Sequence, residues 1–90
     1  MNEKIRCLAV PGRSGIIHNV KLYVNSNSCY LYEEISNGDD VLRKILSLII
    51  ISRDTGLKPL VRFNNAKLTP AVKRILDETG TSYINASKSA

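Results

Sequence analysis

Polar and apolar residues alternate most regularly between Gly15 and Asn25, where Ile16, His18, Val20, Leu22 and Val24 share one side. Ile17, Asn19, Lys21, Tyr23 and Asn25 take the other. A period of two is that of a strand with one face in the core and one in water. Asn25-Ser26-Asn27-Ser28 interrupts it with residues that tolerate positive φ and bond their own backbone, and Cys29 to Ile35 then alternates again. The pattern predicts a hairpin. Setting Val24 opposite Cys29 puts Tyr23 across from Tyr30 and Lys21 across from Tyr32, all on the face turned away from the core. Lys4 to Val10 alternates more weakly, with Ile5, Cys7 and Ala9 on one side, and stops at the turn signal Pro11-Gly12, which makes it a first strand.

After Ser36-Asn37-Gly38 the period changes. Asp39 or Asp40 can accept from the free N–H groups of a first helical turn, and Thr55-Gly56 supplies the stop. The enclosed span of about 15 residues is too long for a strand despite its β-branched residues. At 100° per residue Val41, Leu42, Ile45, Leu46, Leu48 and Ile49 form an apolar stripe, with Arg43, Lys44, Ser47 and Asp54 opposite. Ile50 and Ile51 flank the polar side instead. Burying such side chains stabilises by roughly 1.5–3 kcal/mol each, so they need cover, from a loop or the second helix or from another subunit.

Leu57 to Phe63 reads as a strand with Pro59 near its start, where a missing N–H does least harm. Thr69-Pro70 opens a second helix with a capping hydroxyl and a proline in the first turn; Val72, Ile75 and Leu76 form its stripe, and Gly80 ends it. Asp77 and Glu78 stand at the wrong end of that helix's dipole, which asks for solvation or a basic partner. Ser82 to Ala86 makes a short last strand. The order β-β-β-α-β-α-β predicts an α/β fold, with α+β as its near variant: a two-layer sandwich of one mixed sheet of about five strands with both helices on one face. Residues 1–86 form the single domain and 87–90 a flexible tail.

With 43% hydrophobic and 23% charged residues the composition is that of an ordinary globular domain. Met1 to Lys4 runs straight into the first strand, and no run of 18 apolar residues occurs, so neither a leader nor a membrane contact is expected and the cytoplasm is the expected compartment. Cys7 and Cys29 have no metal-ligand spacing and are too few for a disulfide framework, so both read as buried free thiols. Neither a metal nor an organic cofactor is expected.

Charge changes the picture more than composition does. The net +5 comes from one segment: Thr55 to Leu76 holds Lys58, Arg62, Lys67, Lys73 and Arg74 and no acid. Such a run suits a polyanion, whose bound counterions are released on contact, and nucleic acid is the obvious example. Asn64, Asn65, Lys67 and Thr69 lie between a strand and a helix N-terminus and add donors for an anion, although the glycines of a phosphate loop are missing. Tyrosines beside basic groups would extend this to single strands by stacking, and by sequence only Lys21 accompanies Tyr23, Tyr30 and Tyr32. His18 reads as a hydrogen-bonded core histidine, because its face offers neither the cleft nor the partner carboxylate of a general base. Glu33, Glu34, Asp39 and Asp40 are too loosely patterned for a magnesium site.

The stretch DVLRKILSLIIISRDTGLKPLVRF, residues 40–63, resembles the helix, TG turn and strand of the pentameric, glycan-binding B subunits of some bacterial toxins. That resemblance implies a glycan-binding oligomer and carries no residue roles. The residues themselves point to a non-enzymatic, homo-oligomeric binding module. Its anion site is expected at Lys58, Arg62, Asn64, Asn65, Lys67, Thr69, Lys73 and Arg74. Its contact surface is expected at Lys21, Tyr23, Tyr30 and Tyr32 or at Ile50 and Ile51. The alternative is a protein-interaction module that uses the tyrosine face.

Overall fold

The computed structural model describes residues 4–85; the expected tail at 87–90 and the extreme ends of the 1–86 domain lie outside the described residues. Five strands form one sheet in the spatial order β1-β2-β3-β4-β5. They are β1 (Lys4–Pro11), β2 (Ile17–Asn25), β3 (Ser28–Ser36), β4 (Lys58–Asn64) and β5 (Ser82–Asn85), with α1 (Val41–Thr55) before β4 and α2 (Pro70–Thr79) after it. The first three strands run antiparallel, and β3, β4 and β5 are mutually parallel. This is the predicted α/β order and mixed sheet.

The hairpin has the register read from parity: Val24 pairs with Cys29, Tyr23 with Tyr30 and Lys21 with Tyr32. Strand β2 begins two residues later than expected because Gly12–Ile16 closes a turn, with Gly12 N–H donating to the Ile16 carbonyl at 2.8 Å. Both parallel connections step the same way across the sheet, and right-handed crossovers then put both helices on one side. One continuous core agrees. It joins Val20, Leu22, Leu31, Ile35, Val61 and Phe63, all of one strand parity, to Ile45 and Leu48 of α1 and Val72 and Leu76 of α2.

The helix boundaries follow from the caps. Asp40, not Asp39, caps α1, its carboxylate accepting from Arg43 N–H at 3.3 Å. Gly56 closes it at φ 80°, a left-handed conformation that costs a glycine nothing, with its N–H on the Ser52 carbonyl. Thr69 caps α2 through Val72 N–H at 3.2 Å. The acid at the wrong end of α2 has its basic partner: Arg74 Nε lies 3.3 Å from Glu78 Oε2.

Three expectations are corrected. Cys7 and Cys29 are exposed, not buried; Cys7 pairs in register with Lys21 and so stands on the side of the sheet away from the helices. Leu42 and Leu46, placed in the core stripe of α1, are 48% and 53% exposed, because α1 packs over β3 and β4 and leaves its flank open. Asp54, placed on the polar side, turns in towards the first hairpin and is largely covered. Among the described residues no helix is long and apolar enough to cross a membrane.

Candidate binding face

The side of the sheet away from the helices is open, and β-strand parity decides what stands on it. Along β2 and β3 it carries Lys21, Tyr23, Tyr30, Tyr32 and Glu34, and along β4 it carries Lys58, Leu60, Arg62 and Asn64. Lys58 pairs in register with Tyr30, Leu60 with Tyr32 and Arg62 with Glu34. Two residue sets that the sequence presented separately, the tyrosines and the start of the basic segment, therefore share one surface. Lys21 on one neighbouring strand and Lys58 and Arg62 on the other bracket the aromatic rings.

The rings are ordered against one another. Tyr23 stacks on Tyr32 with centroids 5.7 Å apart and 27° between planes, and meets Tyr30 edge-on at 6.5 Å. Tyr32 is the floor of the group at 5% exposure, while Tyr23 and Tyr30 are half-buried. The Tyr32 hydroxyl donates to Glu34 Oε2 at 2.7 Å. Burial first, and then that bond to a carboxylate, push its phenol up to about 12, with Arg62 opposing. Arg62 Nε in turn donates to Asn64 Oδ1 at 3.3 Å. Among the described residues Glu34 is the acid of this face; Glu33, of opposite parity, lies on the helix side, where Lys44 Nζ approaches it at 3.6 Å.

The rest of the anticipated anion set is not gathered here. Lys73 and Arg74 are exposed on α2, in the other layer, and Arg74 is engaged by Glu78. Lys67 and Thr69 line a hollow at the carboxyl end of the sheet, with Ser36, Gly38 and Asp39 across from them. Thr69 is occupied as a helix cap, and Asn65 is held at φ 57° in the turn that leaves β4. Ile50 and Ile51 also part company. Ile51 packs against the core, and Ile50 stays 65% exposed in a stripe with Leu42 and Leu46, spaced four residues apart along α1.

Two polar clusters escaped sequence reasoning. At the sheet's carboxyl end Lys44 Nζ bonds Asp39 Oδ2 at 3.0 Å and the Glu34 carbonyl at 3.1 Å. The Ser36 amide and then Lys44 hold the Asp39 carboxyl below the usual carboxylate range. At the opposite end of α1, Asp54 Oδ1 accepts from Ser14 N–H at 2.8 Å, and its Oδ2 accepts from Ser14 Oγ at 2.6 Å and lies 2.7 Å from His18 Nε2. His18 thus has the partner carboxylate that its face was expected to lack. The order is nonetheless wrong for nucleophilic catalysis, since the carboxylate stands between serine and histidine and the imidazole has no bond to Ser14 Oγ. The cluster is a brace. An acid in the last turn of a helix opposes the dipole, and that was the available signal that Asp54 had a partner elsewhere.

No family model matches the chain, and no curated protein matches it. Among solved structures it is similar to the crystal structure of a protein of unknown function, AF1548, with a TM-score of 0.70 and 12% sequence identity. The match covers 91% of this chain and 48% of that one, so the chain spans about half the length of that neighbour. At this identity the likeness is one of fold.

Proposed function

We propose that this chain is a binding module, not an enzyme, that holds a polyanion on the open side of its sheet. The observation that supports it is the register of β4, which sets Lys58 and Arg62 beside the tyrosines of β3 and across from Lys21. Three cations among the described residues of that side, opposed by Glu34, attract a phosphate chain from a distance and leave its sequence unread. Lys67, Lys73 and Arg74, standing off this face, strengthen the overall field without touching the same ligand. A cytoplasmic setting belongs to the proposal, since a reducing compartment keeps exposed Cys7 and Cys29 as thiols.

Salt decides the matter. Contacts to about three phosphates give a log–log slope of binding against salt of roughly −2 to −3. In the Lys58→Gln, Arg62→Gln double variant the slope should flatten by about 1.5, measured with heparin and a mixed-sequence oligonucleotide. A wild-type affinity indifferent to salt would remove the polyanion and leave the face to a protein partner.

The other exposed surface supports self-association as part of the same proposal. Leu42, Leu46 and Ile50 form an apolar stripe on the helix side, so a second copy docked there leaves the tyrosine face free. An apolar stripe is self-complementary under a two-fold axis, and this one lies open to solvent along α1. Leu46→Lys should convert a dimer at micromolar concentration to a monomer in sedimentation velocity. Identical sedimentation of the two proteins would discard this interface.

A further inference from the structure

We infer that the polyanion taken by the open face is a single-stranded nucleic acid whose bases stack on Tyr30 and Tyr23. The inference rests on the polyanion reading above and adds the ligand class. The width of the surface argues against a duplex. Five strands at about 4.8 Å spacing span roughly 20 Å, whereas a major groove about 12 Å wide admits a helix or a two-stranded ribbon. A duplex also keeps its bases stacked on one another, where tyrosine rings cannot reach their faces. A single strand offers those faces freely.

The arrangement of side chains fits that ligand. Lys21 on β2 and Lys58 and Arg62 on β4 lie on either side of the β3 tyrosines, with about two strand spacings, roughly 10 Å, between the two basic rows. Phosphates can follow one row while bases turn inward over the rings. Tyr32, covered and tied to Glu34, supports Tyr23 from beneath and is not itself a stacking surface. Arg62 comes from the strand that pairs with β3 and is steadied by Asn64, which suits a phosphate contact at a fixed place.

The test compares a labelled thymidine oligonucleotide, the same sequence as a duplex, and heparin, against wild type, Tyr30→Leu and Tyr30→Phe. The expected result is a loss of about 5- to 100-fold in single-strand affinity for Tyr30→Leu, with heparin binding within about twofold of wild type. Tyr30→Phe keeps the ring and should keep most of the affinity, which separates stacking from any loss of fold. Equal binding of all three ligands, responding to Lys58→Gln and Arg62→Gln but not to Tyr30→Leu, would overturn the stacking inference and leave the polyanion reading standing. Failure to bind any of them would overturn both. Wild-type protein that self-associates through this face, becomes monomeric on Tyr30→Leu and ignores oligonucleotides would do the same, in favour of a protein interface.

Discussion

Phe63→Ala is expected to remove a large share of the domain's stability. Phe63 is fully buried on the helix side of β4, in register with Ile35, and meets Tyr83 of β5 edge-on at 6.4 Å. Truncating a phenylalanine in such a place costs about 3–5 kcal/mol, the transfer of the ring plus the cavity it leaves. A chain of this length has about 5–13 kcal/mol to lose. With a urea dependence of about 1–3 kcal/mol per molar, the unfolding midpoint should fall by roughly 1–5 M. Ile84→Ala is the control, because Ile84 is equally apolar in sequence but stands on the open side of β5 at 37% exposure. Its effect should stay below about 1 kcal/mol. Comparable losses from the two variants would mean that the sheet has no single core side, and the open face would go with it.

That contrast shows what parity can carry. Counting residues from the Asn25–Ser28 turn gives the cross-strand pairs Tyr23 with Tyr30 and Lys21 with Tyr32, because a strand half in water announces which residues look inward. Counting within one strand does not say where that strand lies. Lys58 and Arg62 reach the tyrosine face only through the parallel register of β4 against β3, set by a crossover rather than a short turn, so the sequence shows the charge and not the neighbours. Coverage was likewise out of reach. The stripe on α1 is real, but the sheet beneath it extends past the helix, and Leu42 and Leu46 end over the uncovered flank. Cys7 is exposed for a different reason, because its register with Lys21 turns it to the side away from the helices.

The two exposed surfaces lie on opposite sides of one sheet, and this has a consequence for binding. If copies join through α1, their tyrosine faces point away from the contact, and one long strand can engage both. Affinity for long single strands would then exceed that for short ones beyond simple site counting, by the effective concentration of the second face. A dimer formed through the sheet would instead hide the site.

The second large effect is expected from Gly12→Ala, although no backbone strain forbids it. A Cβ at Gly12 would fall 1.9 Å from Asp54 Oδ2 and 2.4 Å from its Cγ. A free carboxylate would swing aside. This one is held by Ser14 N–H, Ser14 Oγ and His18, and the backbone beside it is fixed by Arg13 N–H on the Asp54 carbonyl at 2.8 Å. The methyl therefore forces the first hairpin turn off the end of α1 or breaks the brace, at about 1–3 kcal/mol, the usual range for overpacking. In an Asp54→Ala background the obstacle is gone, and the same substitution should cost little, which a double-mutant cycle reads directly. Acid reaches the brace by another route. The bond from His18 and then those from Ser14 hold the Asp54 carboxyl down at about 2, below its ordinary value near 3.8. Its contribution to stability is complete above that ordinary value and is lost as pH falls through about 2, so the Ser14 amide resonance should titrate near 2 and not near 4. A cycle in which Gly12→Ala costs as much without Asp54 as with it, or an amide that titrates like a free aspartate, would separate the turn from the helix and undo the link between β1, β2 and α1.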